Sequence, residues 1–262
     1  MSDPPSISSE SAALTFAALD DHAIACVSAE QPLAAPLLRP DMLGPQVEYL
    51  FLARQGTLSA MPVSSFADAV LSAVPNRLHE LGDGTAVLRL ANDTLPEIQW
   101  TRLSIRAKQA AIDAGFPRRN AGQLAVALEE MMSNVMEHSG AAHTGLVAFR
   151  GTAGMFEFVV ADQGIGALAS LRSNPQFAEL ANSRDALPRV LQTGCTSTGD
   201  PERGRGFDDL FRGLANHNGL LRFRSGDAAV VIDGQSPSPL RPKVKRRAAM
   251  KGFLAAVSCM AA

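Results

Sequence analysis

Apolar and polar positions alternate in three different ways along the chain, and the changes divide it. From residue 1 to about 83, short runs of Ala and Leu are interrupted by Pro32, Pro36, Pro40, Pro45, Pro62 and Pro75. Proline in a helix interior removes a hydrogen bond and clashes with the preceding turn, so only short elements are expected there. Residues 46–53 (QVEYLFLA) read as a strand. Residues 66–74 read as a helix opened by Ser65, with Asp68 three positions on as in a capping box.

After Gly82-Asp83-Gly84 the pattern becomes regular. Residues 85–91 (TAVLRLA) predict a strand, and residues 96–114 a helix with proline in its first turn, Ile98, Ile105 and Ile112 every seven residues, and Gly115 at its end. A second helix is predicted over residues 121–138, its core stripe formed by Leu124, Leu128, Met131 and Val135. Two strands follow, 144–150 and 155–161, joined by the turn Gly151-Thr152-Ala153-Gly154. Residues 167–203 read as loop with one helix (185–191), suited to a mobile cover. Glycines 204 and 206 then precede another helix, and two last strands, 220–225 and 228–233, flank Gly226-Asp227.

This order predicts an α+β protein: a two-layer α/β sandwich with helices on one face of a mixed, mainly antiparallel sheet, plus a small N-terminal segment. The chain divides into an N-terminal region (1–83) of unknown role, a central domain (84–235) and a basic C-terminal tail (236–262). In that tail Met250, Phe253, Leu254 and Val257 fall on one helical face beside Lys and Arg residues, which suits a solvated or self-docking tail, or contact with a membrane surface.

Composition narrows the function classes. A net charge of −2 over 262 residues supplies no basic field for nucleic acid. Cys26, Cys195 and Cys259 are odd in number and scattered, which fits neither a disulfide framework nor a metal site and suits a reducing cytoplasm. The N-terminus MSDPPSISSE lacks the basic start and apolar core of a signal peptide, and no apolar run reaches the ~20 residues that span a bilayer.

Candidate chemistry lies in three stretches. On the second predicted helix Glu130, Asn134 and His138 are four apart and share one face, one residue away from the Met131 and Val135 stripe. A carboxylate and an amide oxygen so placed suit proton acceptance and ligation of a hard cation. VVADQGIG ends a buried strand on Asp162 followed by Gly164 and Gly166, and GRGF carries Gly204, Gly206 and Phe207. Taken alone, Asp162 reads as an ordinary turn former. His79-Glu80 echoes a phospho-accepting histidine, but Pro75 and the following Gly-Asp-Gly break the helix such a site needs. His143 and His217 read as surface or turn residues.

Together, LEEMMSNVMEHSG, VVADQGIG and GRGF, in that order over about residues 85 to 234, resemble the ATP-binding fold shared by histidine kinases, gyrase, MutL-type repair proteins and heat-shock chaperones. The resemblance implies that Asp162 accepts a hydrogen bond from the adenine amino group and that Gly164 and Gly166 give the backbone close approach to the nucleotide. It implies that Gly204, Gly206 and Phe207 line the phosphates, with no Walker-type Gly-Lys-Ser/Thr present. His138 at the fourth position after Asn134, where sensor kinases carry a basic residue, is similar to the anti-sigma-factor serine/threonine kinases. That branch implies Glu130 as general base, Asn134 as the Mg²⁺ ligand, and His138, Thr196 and Arg205 (or Arg203) near the nucleotide. It also implies a cytoplasmic kinase with ATP and Mg²⁺ as cofactors, acting on a sigma factor or an anti-anti-sigma-like protein. Homodimerisation is compatible with it. The alternatives are an ATP-gated binding module without transfer and an orphan sensor-kinase catalytic domain.

Overall fold

The computed structural model describes residues 42–58, 64–190, 219–233 and 244–261. Its elements in chain order are α1 (Leu43–Arg54), α2 (Ser65–Ser72), β1 (His79–Glu80), β2 (Thr85–Arg89), α3 (Glu97–Asp113) and α4 (Arg118–His138). These are followed by β3 (Leu146–Thr152), β4 (Met155–Asp162), α5 (Gly166–Arg172), α6 (Ser183–Val190), β5 (Leu220–Asp233) and β6 (Val244–Met260). Six strands form one sheet in the order β1-β2-β3-β4-β6-β5. Every pairing between them is antiparallel.

Strand alternation sorts the core into two halves. Ala86, Leu88, Val147, Phe149, Phe156, Phe158, Val160, Ala255 and Val257 point to one face, where they meet Leu103, Ala107 and Ala111 of α3 and Leu124, Leu128, Met131 and Val135 of α4. This is the expected two-layer α/β sandwich. The stripe read from the sequence of α4 is buried along its whole length, as its period requires. The isoleucines of α3 behave otherwise: Ile98 and Ile105 are exposed, and the sheet-facing line is Leu103, Ala107 and Ala111.

The second face of the sheet is covered by the N-terminal segment. Val87, Leu146, Ala148, Val159, Ala161, Leu254 and Ala256 pack there against Val47, Leu50 and Phe51 of α1 and Phe66 and Val70 of α2. The expected strand at 46–53 is thus a helix. Leu43 to Leu52 of α1 are all buried, so its apolar residues leave no polar stripe from which a helical period can be read. In α2 the capping residue is Ser64, one position before the expected Ser65, its hydroxyl accepting from the Ala67 N–H at 3.0 Å.

Charges are buried on this second face as pairs. Glu48 of α1 accepts from Arg222 Nε at 2.7 Å and Nη2 at 2.8 Å, and lies 3.1 Å from Arg224 Nε. Across the β3–β4 pair Arg150 bonds Glu157, whose other oxygen accepts from the Leu43 N–H at 2.8 Å. Burial pushes the Glu157 carboxyl up from its ordinary value, and Arg150 opposes that shift. The carboxylates of both pairs tie α1 to the sheet, Glu157 through the Leu43 N–H at its N-terminus and Glu48 at its second turn.

Two expectations about the C-terminal third are corrected. The hairpin expected from strands 220–225 and 228–233 is one strand, β5, which runs through an irregularity at Gly226, where φ is +56°. The expected basic tail is β6, paired with β4 on one side and β5 on the other. Its apolar half, FLAAVSC, is a strand buried on both faces, and such strands read as unbroken apolar runs rather than alternating ones. The basic residues beside that run occupy the part of β6 that extends past the end of β4, where Lys245, Arg246 and Lys251 are exposed.

Candidate functional site

β4 ends at Asp162, opposite Phe253 of β6, on the face of the sheet that carries α3 and α4. The carboxylate is 3% exposed and accepts the Gly164 N–H at 2.7 Å and the Phe253 N–H. Loss of hydration dominates these two bonds and pushes its pKa up to about 6. The bond to Gly164 is the side-chain turn expected of Asp before Gly, so the turn-forming role is real. A carboxylate has about four acceptor positions, however, and two backbone donors leave capacity for a further one.

The loop after Asp162 is fixed to the C-terminal end of α4. The Ile165 N–H donates to the Ser139 carbonyl at 2.8 Å, and the Gln163 N–H to the Thr144 hydroxyl at 2.8 Å. At Gly164 an added Cβ would stand 1.9 Å from the Ser139 carbonyl oxygen, so no larger residue fits. Gly166 has φ +74°, and its Cβ would fall 2.8 Å from the Ser225 hydroxyl. That hydroxyl accepts from the Ala167 N–H at 2.9 Å and donates to the Gly252 carbonyl at 2.9 Å, joining the loop to β5 and β6. Both glycines therefore serve close packing within the protein.

On α4, Glu130 is exposed, Asn134 and His138 are half-buried, and the neighbouring Met131 and Val135 are buried. The row of three thus lies at the border of core and solvent, as its one-residue offset from the stripe requires. His138 Nε2 is 3.9 Å from the Glu137 carboxylate in the last turn. Glu129 is half-buried. The Ser139 staple brings the end of this helix and the loop opened by Asp162 into one unit. Thr196, Arg203, Gly204, Arg205, Gly206 and Phe207 lie outside the described residues, as do Cys26, Cys195 and His217.

The segment expected as a mobile cover is folded over its first part. Ala167 and Leu171 of α5 and Ala186 and Leu187 of α6 are buried, and α6 packs on β5. His143 is exposed in a short 3-10 turn, and His79 Nε2 accepts the Val74 N–H at 2.8 Å, a structural role. Sequence reasoning missed Ser139, Thr144, Ser225, Gly252 and Phe253. One of these left a signal: Gly252 stands directly before the apolar run FLAAVSC, and its Cβ would lie 2.0 Å from the Asp162 carbonyl oxygen.

Among the described residues no helix is long and apolar enough to cross a membrane, and no group of three His, Cys, Asp or Glu side chains is gathered to hold a metal. A family model for the histidine kinase-like ATPase domain matches residues 95–217. No curated protein matches the chain. The matched segment opens at α3, includes α4 and the β3–β4 hairpin, and contains Glu130, Asn134 and the Asp162 loop. The fold agrees with a histidine kinase-like ATPase fold over residues 95–217, the sheet being completed by strands from both sides of the matched segment.

Proposed function

We propose that the chain is an ATP-binding regulatory protein kinase of the anti-sigma type. It transfers the γ-phosphoryl group of ATP to a serine or threonine hydroxyl of a cytoplasmic protein partner, a sigma factor or an anti-anti-sigma-like protein. The observation that carries this reading is the Ile165-to-Ser139 hydrogen bond of 2.8 Å, which joins the Asp162 loop to the end of the Glu130–Asn134–His138 helix.

The residues fit the cofactors. Asp162 accepts but does not donate when ionised, and its spare acceptor capacity matches an exocyclic amino group. The half-buried Asn134 offers one hard oxygen, enough for Mg²⁺ that keeps its other positions for water and phosphate oxygens. Bound ATP would supply the activated phosphoryl group. Glu130, exposed and so reachable by a partner, accepts the hydroxyl proton as that oxygen bonds to phosphorus and ADP leaves. His138 borders the nucleotide, and the segment with Thr196, Arg205, Gly204, Gly206 and Phe207 is assigned to the phosphates on the family resemblance alone.

Incubation with labelled ATP and candidate partners, followed by mass spectrometry, tests the reading. Wild type is expected to label a serine or threonine. Glu130→Gln is expected to keep ATP binding within a few fold while transfer falls by ~10²–10⁴. Glu129→Gln should have much less effect, and equal losses in the two variants would refute the assignment of the base. ATP binding with no transfer to any partner would favour the ATP-gated binding module.

A further inference from the structure

β6 loses the support of both neighbouring strands at one point. β4 ends at Asp162, opposite Phe253, while β5 pairs Ser225 with Phe253 and then resumes with Gly226 opposite Met250. Lys251 and Gly252 are therefore extra residues, a bulge that neither described neighbour pairs. Backbone polar groups in such a place need other partners. The bulge lies directly beside the site: the next residue, Phe253, gives its N–H to the Asp162 carboxylate, and Gly252, with φ +84°, backs onto the Asp162 carbonyl.

Two side chains hold the bulge. The Ser225 hydroxyl donates to the Gly252 carbonyl at 2.9 Å. The other is Gln55, the residue that ends α1: its Oε1 accepts the Lys251 N–H at 2.7 Å and its Nε2 donates to the Lys251 carbonyl at 3.1 Å. The two ends of one side-chain amide thus exchange a pair of bonds with one backbone residue, as a residue of an antiparallel neighbour would. Thr57 adds a longer bond, its hydroxyl donating to the Ala249 carbonyl at 3.3 Å. Gln55 is aimed from a fixed backbone. The Gly56 N–H donates to the Ala53 carbonyl at 3.0 Å and the Thr57 N–H to the Leu52 carbonyl at 2.9 Å, with Gly56 at φ +73°, which is the Schellman way of ending a helix.

We propose that Gln55 is a positioning residue of the nucleotide site: from the end of α1 it holds the Lys251–Gly252 bulge, keeps the Phe253 N–H on Asp162, and so makes ATP affinity depend on the N-terminal helix. The proposal rests on the reading of Asp162 as the group that binds ATP. It gives the N-terminal segment a part in the site although no residue of α1 reaches Asp162 itself. Gln55 acts only through the backbone of β6.

Two measurements on the full chain test it: calorimetry with ATP and Mg²⁺, and titration of the Asp162 carboxyl followed by NMR without nucleotide. Gln55→Ala is expected to keep the wild-type circular dichroism spectrum, since Gln55 is only half-buried, and to bind ATP roughly 3- to 10-fold more weakly. Its Asp162 should titrate at higher pH than in wild type, because the Phe253 N–H that favours the ionised form is no longer held in place. Val47→Ala is the control. It opens a cavity in the core between α1 and the sheet without touching Lys251, so it should lower the melting temperature and leave both readouts as in wild type. If wild type binds ATP, equal affinity in Gln55→Ala overturns the proposal, as does a loss in Val47→Ala as large as that in Gln55→Ala. If wild type binds no ATP, the ATP reading fails, and the titration still decides whether Gln55 positions the carboxylate. A shifted titration upholds that role, and an unshifted one overturns it in either case.

Discussion

The carboxylate of Asp162 loses most of its hydration at the end of β4, and two backbone N–H groups only partly replace it. Its pKa of about 6 lies above the 3.8 of an unperturbed aspartate, so the folded state favours the protonated form. The sign follows: this group's contribution to stability is fully present below pH 3.8 and is lost as pH rises through about 6. Nucleotide recognition by this group runs the opposite way, because only the ionised carboxylate is a pure acceptor for an amino group. ATP affinity is expected to fall as pH drops through about 6. Calorimetry between pH 5 and 8 checks this, with Asp162→Asn as the control that should lack the step. A profile that is the same in both proteins would show that Asp162 is not the titrating group.

Sequence reasoning recovered elements that have one wet and one dry side or a turn that marks their ends. Helix α4 was read to its last residue because Leu124, Leu128, Met131 and Val135 recur against a polar background. The β3–β4 hairpin was read within about two residues, since Gly154 marks its turn with φ +81°. Elements buried on all sides without such a turn were misread. In α1 and β6 the contacts that choose helix or strand come from residues distant in the chain, such as Glu48 with Arg222 or Asp162 with Phe253. The site was legible in part for the same reason: Glu130, Asn134 and Asp162 are marked by local motifs, whereas Ser139 and Ser225 act through backbone and hydroxyl groups that any sequence carries. The Glu48 pair offers a test of how α1 is held. Glu48→Ala leaves two buried guanidinium groups without their carboxylate and should cost about 3–5 kcal/mol in urea denaturation. A loss well under 1 kcal/mol would mean that α1 does not depend on this anchor.

At the scale of the whole molecule, the segment matched by the family model is clasped by elements from both sides of it in the chain. α1 closes the sheet's second face from the N-terminal side, and β6 enters between β4 and β5 from the C-terminal side. Deleting residues 244–262 removes an interior strand together with the Phe253 N–H that meets Asp162. The shortened chain is expected to lose its near-ultraviolet circular dichroism and its cooperative unfolding transition, whereas a dispensable tail would leave both intact. The central claim is that this fold holds ATP through Asp162. Its most direct test is calorimetric titration of the full chain and of Asp162→Asn with ATP and Mg²⁺ at pH 7.5. The variant turns one acceptor oxygen into a donor facing the adenine amino group, an unsatisfied arrangement that costs about 1–3 kcal/mol. Wild type should bind, and the variant should bind roughly 5- to 150-fold more weakly. Equal affinity in the two proteins, or no binding by wild type, would contradict the account.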